Sequence, residues 1–349
     1  MENKKKSPEK KGLKVLIVVL LSLVGLVALV ILGFRGYMML PVMSYYQASE
    51  KAFQIPGLDE NFIPQGFFYD EERGLFLVSG YSAEKEASPV YLLDAESGEA
   101  VGKVLLHKTN GDKFTGHSGG IARWGDYVYI AGGSGKCLYI YSYADILSAE
   151  RDDAVTCLGK FSLKASDEDY LGASFVSVIG DRLVVGEFRA EPDYPYPDSH
   201  KVTTSAGDSY GGLALEFALS SNAAFGILPT PVGAYSIRDK VQGICIDDGM
   251  IYLSTSLGLS HSHIYAYEEA KLSQEGTIDI IGYRDIPLYA LDSASLVATY
   301  KAPPMAEEMV MVDGKLHIMC ESASSKFLFG KLIGGKWCYR TDLSGMKSE

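Results

Sequence analysis

The sequence predicts an all-β fold, a five-bladed β-propeller preceded by one N-terminal transmembrane helix. Three observations predict it. One hairpin motif occurs five times, similar strands follow the copies, and a long charge-free apolar segment lies near the N-terminus. A six-bladed ring is the alternative, because residues 269–286 do not fit the five repeats.

The N-terminal segment is first basic and then apolar. Six lysines and two glutamates occupy the first 14 residues, and residues 15–34 carry no charge. A helix over those residues is about 30 Å long, the thickness of a bilayer's hydrocarbon core. The lysines favour a cytoplasmic N-terminus. We therefore expect a basic cytoplasmic tail (1–12), a single-pass signal-anchor helix in the cell membrane (13–34), a linker (35–50) and an extracytoplasmic propeller (51–349).

The charge of the outer part excludes one class of partner. The first 35 residues hold seven of the 32 basic and two of the 44 acidic residues, leaving 25 basic against 42 acidic residues beyond them. Such a surface repels nucleic acid and anionic lipid, and it favours solubility, cations or basic partners. We expect no nucleic-acid partner.

Five cysteines are spread along the chain without a CxxC pair, so neither a zinc knuckle nor a thioredoxin-type motif is supported. Cys137 and Cys157 lie on successive predicted strands. A disulfide between them is one alternative outside the cell, and two separate thiols are the other. The remaining cysteines fall in apolar strand patterns typical of core residues.

The repeated motif is an apolar strand, a tight turn and a second apolar strand. Its copies are spaced by 54, 55, 68 and 65 residues, which is typical of propeller blades. They read QGFFYDEERGLFLVSGY from Gln65, GGIARWGDYVYIAGG from Gly119, SFVSVIGDRLVVGEF from Ser174, QGICIDDGMIYLSTS from Gln242 and EEMVMVDGKLHIMCES from Glu307.

Each hairpin is followed by further strand patterns with period-two alternation. Predicted third strands begin at Val90, Cys137, Leu213, His263 and Lys326, and predicted fourth strands begin at Gly102, Gly159, Gly233 and Ala298. The segment KAFQIPG from Lys51 resembles the fourth strands. We expect it to pair with the last blade and close the ring, which removes exposed sheet edges.

The hairpin pattern resembles the propellers of strictosidine synthase, gluconolactonase and paraoxonase over residues 51–342. The resemblance rests on Gln-Gly at Gln65 and Gln242, on Glu307-Glu308, and on second strands of the form D-G-x-[IL]-x-[IL]. It implies a calcium ion in the central channel, for which Glu307 is the candidate ligand. The chain departs from the family pattern, because no asparagine opens an inner strand.

In a four-stranded blade, the first strand begins and the second strand ends on the same face, around the central channel. We expect a ligand-binding site on this channel face. Its candidate residues are Gln65, Tyr81, His117, Ser118, Glu187, Gln242, Glu307 and Glu321. The connection from Arg189 to Tyr210 borders the same face, and its length favours either a lid over the channel or a plain surface loop.

Two functions from different classes follow as hypotheses. The first is a membrane-anchored propeller that binds a small molecule or an envelope protein on its channel face. The second is a lactonase- or esterase-like hydrolase with a divalent metal ion in the channel, which the resemblance implies. A nucleophile pair of Ser118 with His117 is not supported, because adjacent residues on a strand point to opposite faces.

Overall fold

The computed structural model describes residues 8–133 and 135–349, so the first seven residues of the predicted basic tail lie outside the described ones. Residues 49–349 form a ring of five antiparallel blades, which confirms the predicted fold. One long apolar helix precedes it, and the helical segment Gly12–Gln47 is long and apolar enough to cross a membrane.

The N-terminal helix leads directly into the ring. The first elements are α1 (Pro8–Met39), a short 3-10 turn (Leu40–Val42), α2 (Met43–Gln47) and β1 (Ser49–Gln54). Val42 and Tyr45 are buried against the apolar core of the last two blades. Residues 35–50 are thus helical for most of their length and packed onto the ring.

Blades 1 and 2 follow in sequence order. Blade 1 contains β2 (Phe62–Asp70), β3 (Leu75–Ser82), β4 (Pro89–Asp94) and β5 (Ala100–His107). Blade 2 contains β6 (Ile121–Trp124), β7 (Tyr127–Ala131), β8 (Cys137–Ser142) and β10 (Gly159–Ser162). Between its last two strands lie α3 (Tyr143–Ser148) and β9 (Asp153–Thr156), and β9 pairs in parallel with β5 of blade 1.

Blade 3 is extended at its outer edge. Its own strands are β11 (Phe175–Ile179), β12 (Arg182–Gly186), β15 (Gly212–Leu219) and β16 (Ile227–Ile237), and the connection from β12 to β15 holds a small hairpin, β13 (Val202–Thr203) and β14 (Ser209–Tyr210). A later hairpin, β20 (Ser273–Ile280) and β21 (Tyr283–Ala290), joins this blade through a parallel pairing of β21 with β16. Residues 269–286 therefore belong to an insertion that widens blade 3, and the six-bladed alternative is wrong.

Blades 4 and 5 complete the ring. Blade 4 contains β17 (Val241–Asp247), β18 (Met250–Thr255), β19 (Ser262–Glu268) and β22 (Leu296–Ala302). Blade 5 contains β23 (Ala306–Val312), β24 (Lys315–Cys320) and β25 (Trp337–Thr341), and its outer strand is β1. Pairing of Ser49–Gln54 with Thr341–Trp337 joins the two ends of the chain, as the sequence predicts.

The predicted third strand of blade 5, which begins at Lys326, is wrong. The third strand is β25, and the residues between Glu321 and Lys336 form a long connection with two short 3-10 helices. Gly330 packs against the backbone of Ser322, and Gly334 has a φ of +86°. Glycine tolerates both features, and neither belongs to a regular strand.

The five cysteines are free and buried, so Cys137 and Cys157 are separate thiols. Burial raises the pKa of both. Both pack in the apolar cluster between blades 1 and 2, where they fill space as small apolar side chains.

Candidate functional site

Four of the candidate residues form two hydrogen-bonded pairs at the predicted channel mouth. The Gln65 amide donates from Nε2 to Glu321 Oε2 over 3.0 Å, and the Gln242 amide donates from Nε2 to Glu307 Oε1 over 3.4 Å. The same amide nitrogens donate to Pro64 O and Ser256 Oγ. We call Gln65, Gln242, Glu307 and Glu321 the mouth cluster. It joins blades 1, 4 and 5.

Both carboxyl groups of the mouth cluster favour their neutral forms. Burial, followed by the nearby Glu321 and Glu308 carboxyls, raises the pKa of Glu307 well above its ordinary value. Burial also raises the pKa of Glu321, to about 7, although Lys326 and the Gln65 amide oppose this rise. At neutral pH the pair therefore carries at least one exchangeable proton.

Inner strands of neighbouring blades pack closely at two glycines, Gly66 and Gly243. A Cβ atom on Gly66 would lie 2.7 Å from the backbone carbonyl carbon of Gly120, and one on Gly243 would lie 2.7 Å from Glu308 Cα. Real Cβ atoms do not approach backbone this closely, so glycine is required at both positions.

Glu308 packs against Gly243 in the space that this glycine leaves. Its Oε2 atom accepts hydrogen bonds from the backbone N–H groups of Phe67 (3.0 Å) and Ile121 (3.3 Å), whereas its Oε1 atom is buried without a hydrogen-bond partner among the described residues. Glu308 is 1% exposed, and burial raises its pKa despite these donors. It thus connects the inner strands of blades 1, 2 and 5 and belongs to the scaffold. The available sequence signal was a glutamate aligned with Gly66, Gly120 and Gly243.

Tyr81 and His117 lie together at a second part of the mouth. Their rings pack edge to face with centroids 4.4 Å apart, and Lys326 Nζ donates to the Tyr81 hydroxyl over 2.9 Å. Burial and the nearby Lys326 charge lower the pKa of His117, which favours the neutral imidazole. Lys326 was missed as a site residue because its segment was predicted to be a strand.

Ser118 is fully buried and has a φ of 47°, so it does not continue an inner strand. Its carbonyl oxygen accepts a hydrogen bond from Ser79 Oγ over 2.9 Å. Within the described residues, its own hydroxyl has no hydrogen-bond partner and no bond to His117. The structure therefore gives Ser118 a buried place beside the mouth, without a base to activate it.

Glu187 lies in blade 3 and is fully buried. Its carboxyl accepts hydrogen bonds from the Gly172 and Leu213 N–H groups at 3.0 and 3.1 Å, and it pairs with His200 Nδ1 at 2.9 Å. Burial raises its pKa against these stabilising contacts. Glu187 thus holds the long connection onto blade 3.

The long connection from Arg189 to Tyr210 is attached at several points. Ser205 bonds to Glu275 of the added hairpin through both its N–H and its hydroxyl, each at 2.8 Å. At the other end, the Tyr194 ring packs edge to face against Phe188. The connection is therefore held against blade 3 and its added hairpin.

Replacing His200 with alanine is expected to loosen this connection, because Glu187 would lose its side-chain partner while remaining buried. Limited trypsin digestion should show faster cleavage after Lys201, with the ring itself intact. His107→Ala is the matched control, since His107 bonds to Gly111 within a short loop. Equal cleavage rates for the two variants would show that His200 does not hold the connection.

The mouth cluster does not fit the calcium ion that the resemblance implies. Calcium takes six to eight oxygen ligands, usually with several carboxylates. Here each of the two mouth carboxyls already accepts an amide N–H, and the third nearby carboxyl, Glu308, binds backbone N–H groups. No group of three or more His, Cys, Asp or Glu side chains suited to a metal occurs among the described residues. Glu307 is therefore a hydrogen-bond acceptor for Gln242, and it does not fit the role of a calcium ligand.

No protein-family model matches the chain, and no curated protein matches it. Similar solved structures include a glutaminyl cyclase from Myxococcus xanthus, with 12% identity, a TM-score of 0.42 and coverage of 84% of this chain and 94% of that one. The tail fibre of Staphylococcus aureus phage P68 is another, with 12% identity, a TM-score of 0.46 and coverage of 84% of this chain and 51% of that one.

A third similar structure is that of a putative 6-phosphogluconolactonase from Bacteroides fragilis. It has 13% identity, a TM-score of 0.37 and coverage of 74% of this chain and 77% of that one. At these identities and TM-scores the likeness supports no statement about activity. The propeller architecture stands on the blade pairing of the chain itself.

Proposed function

We propose that the protein is a membrane-anchored propeller that binds a small polar ligand, or a polar group of a protein partner, at its channel mouth. The mouth cluster supports this proposal. Within the described residues, the amide oxygens of Gln65 and Gln242 accept no hydrogen bond while their nitrogens are held. Fixed acceptors with unused lone pairs are suited to ligands that carry hydroxyl or amino groups.

Other groups at the mouth extend this recognition. Lys326 supplies a cation, and the Tyr81–His117 pair supplies an aromatic surface. The mouth therefore combines acceptors, a proton-bearing carboxyl pair, one cation and aromatic rings. This is the composition of a recognition site for a small hydroxylated or aminated molecule.

A thermal-shift screen of the full chain in detergent tests this proposal. A panel of monosaccharides, amino acids and amino alcohols should contain a compound that raises the melting temperature of the wild type. Gln242→Ala should lose that shift, because it removes one acceptor and releases Glu307. Gln274→Ala is the control, since Gln274 is exposed on the added hairpin of blade 3. A ligand that stabilises all three proteins equally binds elsewhere.

A hydrolase is the second candidate, and the Glu321 carboxyl favours it. A group with a pKa of about 7 beside a second buried carboxyl is suited to general acid or base catalysis at neutral pH. Assays with lactones, aryl esters and aryl glycosides should then show turnover that Glu321→Gln abolishes and Glu71→Gln preserves. Turnover that survives Glu321→Gln would remove this candidate.

A further inference from the structure

The N-terminal helix contacts the ring at two loops that border the channel mouth. Phe34 packs edge to face on Phe329 with centroids 6.3 Å apart, and His261 Nε2 lies 2.9 Å from Met38 O. We call residues 256–261 the blade 4 loop and residues 321–336 the blade 5 loop. Their first residues, Ser256 and Glu321, bond to the glutamines of the mouth cluster.

The contact begins where the charge-free segment ends. Residues 12–30 of α1 are exposed, whereas Ile31, Phe34 and Met38 are partly or fully covered. Arg35 is the first charged residue after residues 15–34, which are long enough to span the hydrocarbon core. If these residues fill the core, Phe34 lies at its boundary. Phe329, in contact with Phe34, then lies at that boundary too.

The same two loops expose large apolar side chains. Leu257 and Leu259 in the blade 4 loop are 44% and 61% exposed, and Leu332 in the blade 5 loop is 36% exposed. Leucines next to the end of a transmembrane helix gain free energy by entering the interface of the bilayer. The loops that carry these leucines contact α1 through Phe329 and His261.

The charges near this contact are compatible with a bilayer surface, although the outer part as a whole is acidic. Arg35, Lys326 and Lys331 lie on the helix end and the blade 5 loop. Long basic side chains extend readily from the membrane interface toward lipid phosphates. Lys331 Nζ lies 3.7 Å from the Asp59 carboxylate, so this exposed acidic side chain is already paired with a basic one.

We infer that the channel face is turned toward the lipid bilayer, with Leu257, Leu259 and Leu332 in its interface, so that the mouth cluster takes its ligand from the membrane surface. The inference rests on the proposed function in that α1 enters the membrane and the mouth binds a polar ligand. It deepens that function by assigning the ligand class: the hydroxylated or aminated headgroup of a membrane-resident lipid. A soluble metabolite would instead have to enter through the gap between ring and bilayer.

Depth measurements on the full chain in phosphatidylcholine vesicles test the orientation. Single cysteines at Val24, Leu259 and Val101 are labelled with an environment-sensitive fluorophore, and vesicles with brominated acyl chains act as quencher. The native cysteines are buried and remain unlabelled in the folded protein. Val101→Cys is the matched control, because Val101 and Leu259 are both 61% exposed and Val101 lies on an outer strand of blade 1.

We expect strong quenching at position 24, clear quenching and a blue-shifted emission at position 259, and neither effect at position 101. Quenching at 24 with position 259 indistinguishable from 101 would overturn the orientation and leave the anchored propeller standing. Lack of quenching at position 24 would refute the anchor of the proposed function, and the inference with it.

The ligand class is tested in the same vesicles. Addition of lipids with serine, ethanolamine, glycerol or inositol headgroups should shift the fluorescence of the label at position 259, in the blade 4 loop. The same labelled protein with Gln242→Ala should lose this response. A response to water-soluble headgroup analogues alone would support the proposed function and overturn the lipid assignment. Lack of any response to lipids or analogues would overturn the assignment as well.

Discussion

Replacing Glu308 with alanine is expected to lower the free energy of unfolding by about 3 kcal/mol or more, since each buried donor left without an acceptor costs about 1–3 kcal/mol. The substitution removes the acceptor of the Phe67 and Ile121 N–H groups and opens a cavity on the axis. Loss of a buried carboxyl, which is itself costly, offsets part of this effect. Chemical denaturation of the full chain in detergent measures the difference.

Glu308→Gln is the matched variant for this experiment. It keeps the volume and one acceptor oxygen for the backbone N–H groups, so it should retain much more stability than Glu308→Ala. If both variants unfold at the same denaturant concentration as the wild type, the hydrogen bonds of Glu308 between blades do not stabilise the fold. If both lose the same stability, the carboxylate charge matters more than the acceptor.

Much of the ring could be predicted because its information is local. The five hairpins are defined by alternating apolar residues and turn residues within about 15 positions of each other, and such patterns reflect backbone geometry directly. Closure by the N-terminal strand was also predictable, since Lys51–Gly57 had the pattern of an outer strand but no preceding blade. The fold thus followed from short segments read one at a time.

Segments whose partner is distant in sequence were harder to predict. The strand pattern from Lys326 is not a strand, because contacts of Gly330 with Ser322 and a left-handed Gly334 override its local preference. The hairpin of β20 and β21 joins blade 3 rather than its sequence neighbour, blade 4. The local alternation of apolar residues predicts neither outcome.

The candidate site itself stays a prediction, although two contacts among its residues are present. Blade geometry brings strand starts and ends to one face, and Gln65 bonds to Glu321 while Gln242 bonds to Glu307. The roles of their neighbours depended on burial and pairing across blades, which a sequence does not display. The bonds of Glu308 to backbone N–H groups of other blades were therefore not predicted, and Lys326 was omitted although it bonds to Tyr81.

The second large effect expected is a dependence of stability on pH that originates in Glu321. Folding raises its pKa from the usual 4.5 to about 7. Above pH 4.5 the unfolded chain loses this proton while the folded protein keeps it, so stability is highest below pH 4.5 and falls as the pH rises toward 7. The loss amounts to about 3 kcal/mol, because one pKa unit corresponds to about 1.4 kcal/mol.

Glu321→Gln should remove this dependence, since glutamine does not titrate and can still bond to Gln65 if the amide groups reorient. The variant should gain stability relative to the wild type between pH 4 and pH 8, measured by denaturation at each pH, whereas the exposed Glu71→Gln should run parallel to the wild type. A constant difference between Glu321→Gln and the wild type would contradict the raised pKa.

Lys326→Ala should act in the opposite direction to Glu321→Gln. Loss of the lysine charge raises the pKa of Glu321 further, so the stability of this variant should keep falling to a higher pH than that of the wild type. Because a ligand bound at the mouth would contact this same titrating pair, its affinity should change over the pH range in which Glu321 releases its proton.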